Sequence, residues 1–99
     1  MAVKHVVLWS FKAGLSPEKI QESFDLLRAL KEKIPFVRDF AGGPNISQEG
    51  LSQGLTHGFV MTFSDRKAVS EYLQHPEHTK TVEKALPVIE KLVVVDFEV

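Results

Sequence analysis

The chain has 99 residues, with 12 Lys or Arg against 13 Asp or Glu, a formal net charge of −1 and no cysteine. A chain of this length forms one domain and hides on folding roughly 65% of the surface its unfolded state exposes, so a deep ligand pocket must be carved from a single core or shared with a partner. The charge balance excludes the clustered basic footprint nucleic acid demands, the missing cysteines exclude disulfides and thiolate metal sites, and no long apolar or basic amphipathic stretch marks a membrane segment.

The first apolar run, residues 1–11, is too short for a signal peptide and lacks a small-residue cleavage site, so the expected location is the cytoplasm. Asn45-Ile46-Ser47 matches a glycosylation sequon that is idle in that setting.

Val3 to Phe11 reads as the first strand. Val3, His5, Val7, Trp9 and Phe11 share one face by the two-residue period, and Val6 and Leu8 lie on the other. Ala13-Gly14 turns the chain. Ser16 is a good helix N-cap, followed by Pro17 at the first helical position and Glu18 near the positive helix end. Ile20, Phe24, Leu27, Leu30 and Ile34 then form a helical stripe, which Pro35 closes.

Phe36 to Ala41 reads as the second strand, Gly42-Gly43-Pro44-Asn45 as a turn and residues 44–54 as a loop. Leu55 to Phe63 is the third strand, with Leu55, His57, Phe59, Met61 and Phe63 on one face. Ser64 or Asp65 caps a short helix that turns Ala68, Val69, Tyr72 and Leu73 inward. Pro76 breaks it and starts another, with His78, Val82, Ala85, Leu86 and Ile89 on one face. Pro87 ends the regular helix near Leu86. His75 is expected to face solvent as a cap at that start. Leu92 to Val99 is the last strand, and its run of apolar residues predicts burial on both sides.

The order strand, helix, two strands, helices, strand is the split βαβ arrangement: an α+β, ferredoxin-like βαββαβ fold with a four-stranded antiparallel sheet, as a single domain over residues 1–99. Helices then cover one sheet face. The other is expected to carry Val6, Leu8, Val60, Leu92 and Val94, an apolar surface that needs covering. A two-fold homodimer packing sheet on sheet covers it and closes an eight-stranded barrel.

Four segments, Lys4–Lys12 (KHVVLWSFK), Thr56–Phe63 (THGFVMTF), Glu71–His78 (EYLQHPEH) and Leu92–Val99 (LVVVDFEV), give the chain its resemblance to the stress-responsive dimeric α/β-barrel family. The likeness covers nearly the whole chain, and the spacing between Lys4-His5, Thr56-His57 and His75-Pro76-Glu77-His78 is specific in combination. One branch of that family consists of plant polyketide cyclases that fold a linear tetraketide by intramolecular aldol condensation. The resemblance implies that His78 is the catalytic base, that Tyr72 assists it, and that His5 and His57 line the same cavity. Trp9 and Phe59 are bulkier than the aliphatic residues of that branch, which argues against the same alkyl-tailed substrate.

The residues themselves point to one cavity as well. His5 and His57 share strand faces with Val7, Trp9, Phe59 and Met61, and Tyr72 and His78 sit on inward helical stripes. These side chains are the expected walls of a pocket for a small hydrophobic or polyketide-like ligand. Aldol cyclisation needs a base near neutrality, which imidazole supplies, and a donor for the developing oxyanion, which a phenol supplies. Holding both reacting carbons close is the largest saving open to a catalyst without a cofactor, and none is expected here. Each residue also has a structural reading: an inward His as a hydrogen-bonded core residue, Tyr72 as core closure, and Trp9, Phe59 and Met61 as filling. Three imidazoles, His5, His57 and His78, match the ligand number of a catalytic zinc, but no local ligand motif or obvious orienting carboxylate accompanies them, so no metal is expected. Gly42-Gly43 lacks the Lys-Ser/Thr ending of a phosphate loop.

Three functions remain open at this level: a cofactor-independent cyclase or lyase, a non-catalytic stress-response or ligand-binding protein whose pocket is filled by Trp9 and Phe59, and a cofactor-free monooxygenase by analogy of fold.

Overall fold

Val3, His5, Val7 and Trp9 are buried and alternate with less buried neighbours along β1 (Val3–Phe11), as an extended chain with one covered face requires. In the computed structural model, which describes residues 1–99, β1 pairs with β3 (His57–Phe63) on one side and β4 (Ile89–Glu98) on the other. The fourth strand, β2 (Asp39–Pro44), pairs with β3. The sheet is antiparallel with order β2-β3-β1-β4, the expected ferredoxin-like α+β architecture. No helix is long and apolar enough to cross a membrane.

The helices start as their caps dictate. For α1 (Pro17–Arg28), the Lys19 N–H donates to Ser16 Oγ at 3.1 Å. For α3 (Arg66–Gln74), the Ala68 N–H donates to the Asp65 carboxylate at 2.9 Å. For α4 (Pro76–Ala85), the Glu77 N–H donates to His75 Nδ1 at 3.1 Å, so His75 is the cap it was expected to be. The stripe expected to run unbroken to Ile34 is divided at Ala29 into α1 and the single turn α2 (Leu30–Lys33). Ala29 keeps right-handed helical angles, so Leu30 and Ile34 still reach the core. After α4, Pro87 has no N–H to continue the ladder, and Leu86–Val88 tightens into a 3₁₀ turn.

Two strand assignments need correction. The second strand is Asp39–Pro44, not Phe36–Ala41, because Val37 is drawn into the core and Phe36 packs against it. The Gly42-Gly43-Pro44 segment, read as a turn, is therefore strand. Pro44 is tolerated because β2 is an edge. Gly42 is required by contact: a Cβ there would sit 2.6 Å from both the Gly58 carbonyl oxygen and Phe59 Cβ. The turn chemistry lies beyond Pro44, where the Asn45 side-chain amide donates to Ser52 Oγ (2.7 Å) and the Leu55 carbonyl (3.2 Å) while its oxygen accepts from the Ser47 N–H.

The second correction concerns β4. It was expected to be buried on both faces, with Leu92 and Val94 on the uncovered side of the sheet. It is instead an edge strand, exposed along nearly its whole length. Leu92 lies opposite Trp9 and Val94 opposite Val7, and directly paired residues share a face, so Leu92 and Val94 belong to the helix side. The outer side of β4 carries Val93, Val95 and Phe97, opposite Leu8, Val6 and Lys4. Exposed Leu8, Val93, Val95 and Phe97, with half-buried Val6 and Val60 opposite one another, form an apolar sheet face.

Candidate functional site

Between the sheet and the helices lies a cavity of about 260 Å³. One wall is His5, Val7 and Trp9 from β1 with Phe59 from β3. The facing wall is Tyr72 and Leu73 from α3 with His78 and Val82 from α4, and Leu27 and Leu30 close the floor. The rim is aliphatic: Leu73, Leu86, Leu92 and Val94 line it and are also solvent-exposed. Trp9 and Phe59 form walls and do not plug the space.

Three side chains break the apolar lining. The Tyr72 ring lies 4.7 Å from the His78 ring and 5.8 Å from the His5 ring, centre to centre. Helical spacing brings the first pair together, since Tyr72 ends one inward stripe and His78 begins the next across the Pro76 break. The Tyr72 hydroxyl has no partner in the protein, and burial pushes its pKa well above the ordinary phenol value, so it remains a donor. Burial also lowers the His78 pKa. A hydrogen bond with the Leu73 backbone opposes this, and positive charge on His5 adds to it. A neutral imidazole beside a protonated phenol is a base next to a hydrogen-bond donor.

His5 is held by a residue that the sequence analysis did not single out. Its Nδ1 lies 2.5 Å from Oδ1 of Asp96, which sits directly across the β1–β4 ladder. The signal was present in Leu92-Val93-Val94-Val95-Asp96, where alternation ties Asp96 to the face of Leu92 and Val94. Assigning those two to the outer side hid it.

His5, Val7, Trp9, Phe59, Tyr72 and His78 thus meet around the cavity, while His57 and Met61 do not line it. Met61 lies opposite His5 in the ladder and is wholly buried in the core. His57 lies opposite Trp9 and packs on the indole at 5.8 Å and on Phe11 at 4.9 Å, with its Nδ1 2.9 Å from Thr56 Oγ1. Burial lowers its pKa too, and its ring packs among Trp9, Phe11 and Phe24, although the residue also borders a surface groove beside the Asn45 loop. Because His57 stands apart, the three imidazoles do not converge as a ligand set, and no three His, Cys, Asp or Glu side chains are placed to hold a metal ion. The Trp9 indole N–H is the one side-chain polar group that is both sealed from solvent and without a partner.

The fold and the cavity together define a ferredoxin-like α+β domain with a small apolar pocket bearing a tyrosine and two histidines. The chain belongs to the stress-responsive A/B barrel domain (Dabb) family, which it matches over residues 3–99. It is 42% identical over 96 residues to the stress-response A/B barrel domain-containing protein HS1 of Arabidopsis thaliana, covering 97% of this chain and 88% of that protein. It is 29% identical over 97 residues to olivetolic acid cyclase of Cannabis sativa, covering 98% and 96% respectively. Among solved structures, a dimeric ferredoxin-like protein of unknown function from Jannaschia sp. CCS1 superposes with a TM-score of 0.85 at 27% identity, with both chains fully covered.

Proposed function

We propose that this protein is a cofactor-independent cyclase that closes a small polyketone-like molecule by intramolecular aldol condensation. One observation carries the reading: an otherwise apolar cavity holds an unpaired phenol hydroxyl beside an imidazole kept neutral by burial. His78 removes a proton from a carbon flanked by carbonyls. Tyr72 donates to the oxygen that becomes negative. Val7, Trp9 and Phe59 hold the chain folded and exclude water, so that the reacting carbons meet often. The volume lies near the lower edge of small-molecule sites, which span roughly 300–1,000 Å³, so the ligand is short. Likeness to a protein named as a cyclase supports the same class of chemistry. The aromatic walls favour a compact, ring-forming substrate over a long flexible tail.

The test is incubation with a poly-β-keto thioester and product analysis by liquid chromatography and mass spectrometry. A cyclised product above the spontaneous background is expected. Identical profiles with and without protein would sink the proposal.

The same reading makes the protein a homodimer through the outer sheet face. Leu8, Val93, Val95 and Phe97 are each exposed by 36% or more, an apolar array costly to leave in water. A family-like neighbour of known structure is dimeric. Val95→Asp would place an unpaired carboxylate in that interface, at a cost of several kcal/mol. Sedimentation equilibrium is expected to give a dimer for the wild type and a folded monomer for the variant. A monomeric wild type at micromolar concentration would contradict the assignment.

A further inference from the structure

The outer face of the sheet is uneven. Its half nearest β4 is raised, with Val93, Val95 and Phe97 all standing exposed. Directly paired residues share a face, so the ladders set Gly43 and Gly58 level with Val93 on the β2 half, and Ala41 level with Val95. That half is hollow. A strand is weakened by glycine, so each one needs a cause. Gly42 is pressed by Phe59, and Gly58 lies under Leu8, whose Cδ2 would meet a Cβ there at 2.7 Å. Gly43 has no cause of this kind: its φ is not positive, and a Cβ on it would meet nothing within 4 Å. Glycine in a strand with free space above it marks close approach by a surface from outside the protomer.

We propose that the space over Gly43 receives β4 of a second copy of this chain, with Val93 seated over the partner's Gly43 and Val95 over the partner's Ala41. This placement rests on the homodimer reading above and adds its axis: the two-fold runs along the strands, between the two sheets, and lays each β4 over the partner's β2.

A second copy fits because bulk and hollow lie on one surface. In a two-fold contact each protomer supplies what the other lacks, twice over. The alternative two-fold for the same faces runs across the strands and lays β4 on β4. It sets the raised halves against each other and leaves the hollow halves facing across a void, which close-packed interfaces avoid. Charge separates the two arrangements as well. Lys4 shares the outer face, opposite Thr62 on β3, and Asp39 lies opposite Thr62 from the other side. Lys4 Nζ donates to Thr62 Oγ1 at 2.9 Å, and neither Lys4 nor Asp39 forms an ion pair in its own protomer. An axis across the strands would press Lys4 onto the partner's Leu8, burying a cation against apolar surface. The axis along the strands sets it over the partner's Thr62, one strand from the partner's Asp39, where the opposite charge is in reach.

Isotope-filtered NOE spectroscopy on a mixture of carbon-13-labelled and unlabelled protein tests the arrangement in the wild type. The Val93 methyls of one copy should give cross-peaks to the Gly43 Hα protons of the other. Within one protomer β4 and β2 are three strand spacings apart, about 14 Å, too far for an NOE. Cross-peaks between the Val95 methyls of the two copies, with none from Val93 to Gly43, overturn the placement and leave the dimer standing. Gly43→Leu should keep the fold, since the protomer has room for the side chain, and weaken the dimer about 100-fold or more in sedimentation equilibrium, because the overpacking occurs twice. A folded Gly43→Leu dimer as tight as the wild type also overturns the placement. Should the variant lose its fold by circular dichroism, the wild-type cross-peaks decide alone. A wild type that stays monomeric at micromolar concentration refutes the homodimer reading and this placement together.

Discussion

Replacing His78 with Ala is expected to cut kcat for cyclisation by about 100- to 10,000-fold, the usual contribution of a positioned general base, with KM within a few-fold. The expectation follows from the cavity's composition. Only His5, Tyr72 and His78 break its apolar lining. The Tyr72 phenol is held protonated by burial and so cannot act as the base near neutral pH. His78 has its pKa lowered by burial, more than its hydrogen bond with the Leu73 backbone raises it. The sign matters for the pH profile: a base must be neutral, and a lowered pKa keeps it neutral to more acidic pH. The acid limb of kcat/KM should therefore fall below the ordinary imidazole value of about 6.5. Steady-state kinetics from pH 5 to 9 check both points. An acid limb at or above the ordinary value, or a His78→Ala variant with full activity, removes His78 from the role of base.

Trp9→Ala should destabilise the fold by about 3–5 kcal/mol, the range for truncating a large buried aromatic. Trp9 is wholly buried and packs on Phe24, Phe11, His57 and Phe59 at ring distances of 5.7–6.0 Å. Its indole N–H has no partner, so its removal loses packing but no hydrogen bond, which sets the upper bound. Urea denaturation should show a lower midpoint with an unchanged slope. A loss below about 1 kcal/mol would mean that the cavity wall collapses freely and that Trp9 does not shape the pocket. Trp9→Phe keeps an aromatic wall, and its loss of stability should be much smaller.

The caps and helical stripes were legible because they are local. Ser16, Asp65 and His75 each sit before a run whose orphan N–H groups need an acceptor within three residues, and the structure uses all three. Tyr72 and His78 were legible for the same reason, since helical periodicity alone aims them inward. What failed depends on pairing between distant segments. The face of each β4 residue follows from its register with β1, and a run such as Leu92-Val93-Val94-Val95 is equally apolar in either phase. Only the register with β1 brings Leu92, Val94 and Asp96 to the helix side, opposite Trp9, Val7 and His5. His57 was placed correctly on its strand face but sits at the far end of that face, opposite Trp9, where the indole takes up its ring. Alternation shows which side a residue faces, not how far along the sheet a cavity extends. Glycine suits turns, but Gly42 lies within a strand. Its real cause is close approach to Gly58 and Phe59, a contact 16 or 17 residues away in the chain.

The most direct test is the crystal structure of the protein with an unreactive β-triketone bound. The ligand should occupy the space among Trp9, Phe59 and Val7, with one carbonyl oxygen within about 3.2 Å of Tyr72 Oη and a carbon between two carbonyls facing His78. A ligand seated instead in the groove beside His57, or a cavity that stays empty at saturating ligand, would contradict the account.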